Sequence, residues 1–267
     1  MALKVLVVDD TIVYRKIVTD VLAELPGVEV VGTAGNGKIA LSRIKTLHPD
    51  LLTLDIEMPE MNGIEVLQVI KQEGLPVGVI VLSSLTVKGG EMTIRALELG
   101  AFDFITKPEG LTQESNRAAI RQALEPLLRA FGRRREISSI LKGQGPPLPK
   151  GQAGPARPPS QDAASIASRM NRIVEHAKAE VVGIGISTGG PNALAELLPK
   201  LPANLNVPIF LVQHMPPHFT QSLAQSLNAR CPLTVKEAVD GEYVQNNVVY
   251  VAPGGRQMKV TLGVDAA

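Results

Sequence analysis

Apolar residues in this chain fall into short, largely apolar runs separated by longer stretches with helical spacing. The runs are Val5–Val8, Val28–Ala34, Leu51–Leu54, Val77–Leu82 and Phe102–Ile105. After the first, Ile12, Val13, Ile17, Val18, Val21, Leu22 and Leu25 recur every three or four residues, with Thr11 placed to cap them and Pro26–Gly27 to stop them. Helical stretches follow over 36–47, ended by His48–Pro49, around Ile64–Ile70, over 89–99, ended by Gly100, and over 116–131. Runs without polar alternation are strands buried on both faces, which calls for a parallel sheet with helices on each side. Residues 1–130 are therefore predicted to form a five-stranded, doubly wound parallel α/β domain.

The polar residues that interrupt this pattern sit at the carboxyl ends of the runs: Asp9 and Asp10, Asp55, Ser83 and Lys107. Right-handed crossovers bring such ends to one edge of the sheet. A single aspartate closing a strand is ordinarily a turn or capping residue, but these positions together describe a pocket. Three carboxylates repel one another, and a hard divalent cation such as Mg²⁺ answers that repulsion with oxygen ligands. Lys107 adds a cation and Ser83 a hydroxyl donor. Such a pocket suits attack by one carboxylate on a phosphoryl group and retention of the product's oxygens.

The pattern then breaks. Residues 131–179 read as a linker. Arg133–Arg135 is a solvated helix end favoured by the helix dipole, in preference to a nucleic-acid contact. Residues 143–168, GQGPPLPKGQAGPARPPSQDAASIAS, hold six prolines, four glycines and no aromatic residue. That composition buries too little apolar surface to offset its ordering entropy, so it is expected to be a flexible tether. Residues 168–179 are expected to form a short helix, with His176 an ordinary exposed residue.

Strand and helix patterns resume over residues 180–267, the first part of a second, mainly parallel α/β domain of hydrolase type. Val181–Ile186 is a strand leading into Ser187–Thr188–Gly189–Gly190–Pro191, with Pro191 in the first turn of a helix over 193–201. Val207–Gln213 is a strand that delivers His214, and 219–227 is helical. Strands are expected over 233–239, 247–252 and 258–262.

Two chemistries fit GIGISTGG. A nucleotide loop would use Gly183, Gly185 and Gly189, but Thr188 stands where the dinucleotide fingerprint has its third glycine, and His214 replaces the acidic ribose ligand. A nucleophile turn would place Ser187 on a strand-to-helix bend, with amides at the helix start stabilising an oxyanion and His214 acting as general base from the adjacent strand.

Composition narrows the class. The chain has 267 residues, 45% hydrophobic and 20% charged, enough for two cored domains. A net charge of +1 argues against general electrostatic binding to nucleic acid or anionic membrane. The lone Cys231, beside Pro232, excludes an intrachain disulfide framework and reads as a structural thiol. No apolar run reaches the roughly 20 residues of a membrane span, and the N-terminus enters a strand directly. A soluble cytoplasmic protein is expected.

Residues 1–130 resemble the response-regulator receiver domain through VLVVDD, LLTLDIEMPEMNG, VIVLSS and FDFITKP. The resemblance implies that Asp55 accepts phosphate from a histidine kinase. It further implies that Asp10, Asp55 and the main-chain carbonyl of Glu57 bind Mg²⁺, with Asp9 assisting through water. Lys107 and Ser83 would hold the phosphoryl group, and Phe104 would be the aromatic residue whose rotamer tracks activation.

Residues 180–267 resemble the catalytic domain of the chemotaxis-specific protein-glutamate methylesterase, through G-x-S-T-G-G-P, Q-H-M-P-P and A-P-G-G. That family carries a receiver, a linker and this domain in the same order. It hydrolyses γ-glutamyl methyl esters and deamidates glutamines on the cytoplasmic helices of chemoreceptors. Ser187 would be nucleophile and His214 base, with no cofactor for the esterase, and the unphosphorylated receiver would cover the Ser187 site. Two departures stand out. Gln257 replaces a histidine common in the family, and the family's third triad member, an aspartate in a Gly-rich loop, belongs to a part beyond residue 267. Asp240, before Gly241, reads as a turn residue, and Asp265 lies near the end. Without an orienting carboxylate His214 would lose tautomer control, worth roughly 10⁴-fold in turnover. The rival expectation is a phosphoacceptor binding protein that engages receptor or kinase and hydrolyses little or nothing.

Overall fold

The computed structural model describes residues 2–108, 110, 112–141 and 179–261. The tether at 143–168, His176 and Asp265 lie outside them. Among the described residues nine strands form two sheets, and every strand pair in both is parallel. The first sheet has the order β2-β1-β3-β4-β5, from β1 (Leu3–Val8), β2 (Val28–Ala34), β3 (Leu51–Asp55), β4 (Gly78–Ser83) and β5 (Asp103–Thr106). The central strand β3 is buried at every position. Five helices cover its faces: α1 (Ile12–Ala23), α2 (Gly37–Leu47), α3 (Gly63–Glu73), α4 (Val87–Glu98) and α5 (Gln113–Leu141).

The second sheet has the order β6-β7-β9-β8, from β6 (Val182–Ile186), β7 (Ile209–Gln213), β8 (Thr234–Glu237) and β9 (Val248–Val251). Helices α6 (Gly190–Leu197) and α7 (Phe219–Asn228) pack on one face. On the other face Gly183, Gly185 and Val212 are exposed.

Two buried clusters result. One lies under α1 and α5 and includes Val5, Val7, Leu22, Ile80, Ile120 and Leu124. The other passes from the receiver-like domain into the second domain without a break, joining Leu52, Leu54, Ile94 and Leu97 to Leu194, Phe219 and Leu223. The junction is made by α4 and α7, which lie side by side in the same direction. A Cβ built on Gly90 would lie 3.5 Å from His218 O and Ser222 Oγ, and Glu98, at the far end of α4, meets Ser226 and Arg230.

Three expectations need correction. Thr11 stands at the N-cap of α1, but its hydroxyl bonds the neighbouring Asp10 carboxylate and caps nothing. The closing helix runs ten residues past 131, through Pro126, so Arg133–Arg135 lies within it and not at its end. Tertiary contacts hold that extension: Arg134 lies over the Phe102 ring and Arg135 pairs with Asp50 at 2.7 Å. Residues 258–261 form no strand: β9 is paired on both sides, by β7 and β8, and the segment joins neither open edge of the sheet, β6 or β8. Asp240 is, as expected, in an exposed turn, with Gly241 at φ +75°.

Candidate functional site

Parallel register turns the strand ends into two sites. In the first domain β1, β3, β4 and β5 end together, bringing Asp9, Asp55, Ser83 and Lys107 to one edge. Asp9 and Asp55 are buried, at 0% and 3% exposure, while Asp10 is open to solvent. Lys107 Nζ lies 2.7 Å from Asp55 Oδ2 and 2.9 Å from Asp9 Oδ2, above the Tyr14 ring at 5.0 Å. Burial alone would push the Lys107 amine down, but the carboxylates of Asp55 and Asp9 hold it above its usual value. Burial raises the Asp55 carboxyl to about 6, and attraction to Lys107 offsets only part of that.

The loop after Asp55 is folded back over it. Asn62 and Glu65 form a reciprocal capping box at the start of α3, and Gly63 N–H donates to Ile56 O at 2.9 Å. A Cβ on Gly63 would collide with Asp55 O and lie 2.9 Å from Ile56 Cα, so only glycine fits. Ser83 Oγ donates to Gly89 O at 3.2 Å, tying the strand end to the first turn of α4.

The donor set fits a divalent cation. Asp9, Asp10 and Asp55 each offer an oxygen, all within 4.8 Å of one another, and opposite ligands of a Mg²⁺ octahedron stand about 4.2 Å apart. Three carboxylates against Lys107 leave two negative charges uncompensated. Asp55, Asp9, Asp10 and the main-chain carbonyl of Glu57 are the groups that would hold the ion; Glu57 is exposed, and its N–H donates to Asp55 Oδ1 at 3.3 Å.

In the second domain Ile186 and Gln213 are register partners, so Ser187 and His214 are the next residues on neighbouring strand ends. His214 N–H reaches Ile186 O at 3.4 Å. Both residues are exposed, and among the described residues no hydrogen bond joins their side chains. Gly190 N–H closes the turn onto Ser187 O at 2.8 Å, and Gly189 takes a left-handed conformation at φ +70°. The A-P-G-G loop packs against Met215–Pro217, where a Cβ on Gly254 would strike Pro216 O, and Gly254 N–H donates to Thr220 Oγ1 at 2.9 Å. Gln257 is exposed and lines, with Asp240, Tyr250 and Arg256, a cleft of about 490 Å³ that contains neither Ser187 nor His214.

The first domain touches the second beside this serine. Asp103 Oδ2 accepts the Gly189 N–H at 2.8 Å. Asn192 Nδ2 donates to Ala101 O at 2.8 Å, and the Phe104 ring stacks on Phe219 at 5.0 Å and 3°. Burial raises the Asp103 carboxyl, outweighing the Gly189 and Phe104 N–H groups that favour its ionised form. Ser187 itself stays exposed: the docked domain engages the turn two residues on and does not bury the Ser187 side chain. Asp103, Asn192 and Gly90 carried no signal in the sequence, because their contacts join segments far apart in the chain.

These two strand-end sites define a response-regulator receiver packed against a hydrolase-type domain whose strand-to-helix turn carries Ser187. Comparison with known proteins gives the same division. Residues 5–121 match the response regulator receiver domain and residues 182–267 the CheB methylesterase domain. The protein-glutamate methylesterase/protein-glutamine glutaminase of Desulfotalea psychrophila is 51% identical over 259 residues, covering 97% of this chain and 69% of the relative. The Bacillus subtilis protein of the same name is 43% identical over 262 residues, covering 97% and 69%. The response regulator domain of Thermotoga maritima CheB superposes with a TM-score of 0.45 at 42% identity, covering 49% of this chain and 98% of that one. The chain belongs to the protein-glutamate methylesterase/protein-glutamine glutaminase family. Among the described residues no helix is long and apolar enough to cross a membrane.

Proposed function

We infer that this chain is a phosphorylation-regulated protein-glutamate methylesterase and protein-glutamine glutaminase. Its substrates are methylated chemoreceptor helices in the cytoplasm, and its phosphodonor is a histidine kinase. The observation that carries the reading is the juxtaposition of the two sites through α4 and β5.

In the receiver, an Asp55 carboxylate oxygen attacks the phosphorus of a phosphohistidine, and the imidazole leaves. Asp9, Asp10, Asp55 and the Glu57 carbonyl would hold a divalent cation, which would supply positive charge against the phosphoryl oxygens. Lys107 is placed to hold one of those oxygens. Ser83 turns towards another and gives up Gly89 O, which frees the first turn of α4. Gly90 is the next residue, and it seats α4 on α7.

In the catalytic domain, Ser187 Oγ attacks the γ-carbonyl of a glutamyl methyl ester while His214 accepts the hydroxyl proton. His214 returns that proton to the departing methanol, or to ammonia when the substrate is a glutamine amide. Water then cleaves the acyl-enzyme to give glutamate. Gly189 N–H, at the start of α6, becomes free for the reacting carbonyl oxygen only when Asp103 withdraws. The docked receiver thus restrains the nucleophile turn, and a few kcal/mol between docked and undocked arrangements suffices for control.

The test is methanol release from a glutamyl methyl ester on a helical peptide, with and without a small phosphodonor and Mg²⁺. Asp55→Ala is expected to keep a basal rate and lose stimulation, and Ser187→Ala to lose turnover. Equal stimulation of Asp55→Ala and the parent would refute the regulation. Turnover independent of Ser187 would refute the chemistry, and no turnover at all would leave the phosphoacceptor binding protein as the correct reading.

A further inference from the structure

Gln213 is a polar residue in an apolar position. Along β7 the buried side alternates Ile209, Leu211, Gln213, while Val212 faces out, so its amide lies among core residues at 6% exposure. Burying an amide there is unfavourable unless it is used. Its Nε2 donates to two main-chain oxygens, Ser187 O at 3.1 Å and His214 O at 3.4 Å. One NH₂ group thus bridges the backbone of the nucleophile to the backbone of the base.

Two carbonyls facing the same end of the amide fix which end is nitrogen. The other end, Oε1, is buried without a hydrogen-bond partner and points at Gly190. A Cβ built on Gly190 would fall on Oε1, 2.8 Å from Cδ and 3.1 Å from Nε2. The second glycine of S-T-G-G is therefore accounted for by volume: its φ is not positive, and the missing side chain is the space that Gln213 occupies. Gly190 N–H also bonds Ser187 O, so the glycine and the glutamine hold the same carbonyl from two directions.

We propose that Gln213 is a positioning residue that sets Ser187 against His214, with Gly190 as its obligate partner in volume. The inference rests on the Ser187–His214 reading given above. A misplacement of about 1 Å at a reacting group costs on the order of 100-fold in rate, so the bridge acts on the bond-forming step and not on binding.

The test is the labelling of Ser187 by a fluorophosphonate on the full chain, in which Ser187 Oγ displaces fluoride and His214 takes the hydroxyl proton. The saturating rate constant and the half-saturating concentration are read separately. Gln213→Met keeps length and volume, removes the bridging donor and also removes the unpaired oxygen, while Ser187 O keeps its Gly190 N–H. It is expected to unfold at or above the parent's midpoint, yet to label about 10- to 100-fold more slowly with an unchanged half-saturating concentration. Gly190→Ala is expected to slow labelling to a similar degree. The pair Gly190→Ala with Gln213→Ala is expected to be no slower than Gln213→Ala alone, because the new methyl fills the emptied volume. Parental labelling by Gln213→Met, or losses that add in the double variant, would overturn the proposal. If Gln213→Met does not fold, the Gly190–Gln213 pair decides the matter. Labelling that persists in Ser187→Ala would instead refute the catalytic reading on which the proposal rests.

Discussion

The α4–α7 contact can be wedged at one atom. Gly90 is buried, and a Cβ there would sit 3.5 Å from His218 O and Ser222 Oγ, an ordinary contact distance. Gly90→Ala is therefore expected to keep the domains docked while gaining up to about 1 kcal/mol of helix propensity in α4. Gly90→Leu adds three more carbons with α7 already at contact. Overpacking of that kind costs about 1–3 kcal/mol if the domains stay together. Undocking relieves it without disturbing the β-sheets, so the strain moves into the docked–undocked equilibrium. There, 1–3 kcal/mol changes the population ratio roughly 5- to 150-fold. The assay is methanol release from the peptide ester by unphosphorylated protein, followed by the factor of stimulation on adding phosphodonor and Mg²⁺. Gly90→Leu should raise the basal rate by up to that ratio and shrink stimulation by the same factor, whereas Gly90→Ala should change neither. A leucine variant with the basal rate of the alanine variant and full stimulation would refute the reasoning. So would an alanine variant as active as the leucine one.

Two further outcomes follow from the acidic pocket. With EDTA present, Asp55, raised from 3.8 to about 6 in the folded protein, contributes stability that is fully present below 3.8 and lost as pH rises through about 6. A shift of about two units corresponds to about 3 kcal/mol, so denaturant-unfolding stability should fall across that window, Asp55→Asn should flatten the fall, and Mg²⁺ should restore stability above pH 6. Gly63→Ala would drive a methyl into Asp55 O, and phosphodonor-dependent labelling of Asp55 should slow markedly, with about 1–3 kcal/mol of stability lost to overpacking.

What the sequence disclosed, and what it withheld, divides along a physical line. Largely apolar strands announce a two-faced parallel sheet, and parallel register then forces unlike residues at strand ends together, so Asp9, Asp55, Ser83 and Lys107 were legible without coordinates. Ser187 and His214 were legible for the same reason, as successors of the register partners Ile186 and Gln213. Gln213 was not. As the last residue of an apolar strand it reads as a polar cap, and only Gly190 and Ser187 O reveal its use. The run 258–262 misled in the opposite sense: its residues favour strand, but propensity does not decide whether a segment pairs with a sheet edge. The length of α5 beyond 131 was hidden because the contacts that hold it, Arg134 over the Phe102 ring and Arg135 with Asp50, exist only once the fold is in place.

The position of Asp103 limits how phosphorylation can reach Ser187. β5 runs from Asp103 to Thr106 and Lys107 follows, so at about 3.3 Å per residue the Asp103 backbone, whose carboxylate accepts the Gly189 N–H, lies about 13 Å from that of Lys107 in the acidic pocket. Asp103 and Asp55 are both buried, so salt screens them less than exposed charges, but at that separation a unit charge contributes only about 1 kcal/mol at an effective dielectric of about 20. Two mechanical routes remain. One runs along β5 to Phe104 and its stack on Phe219. The other passes from Ser83 through Gly89 O into α4 and across Gly90 to α7. The second is shorter, since it needs a single hydrogen bond to exchange partners before a helix already at contact distance is released. Asp103 is then the element that yields: its charge is held in a site where burial outweighs the two N–H donors, so the docked arrangement carries an electrostatic cost at neutral pH. A small loss of seating between α4 and α7 is enough to let it go.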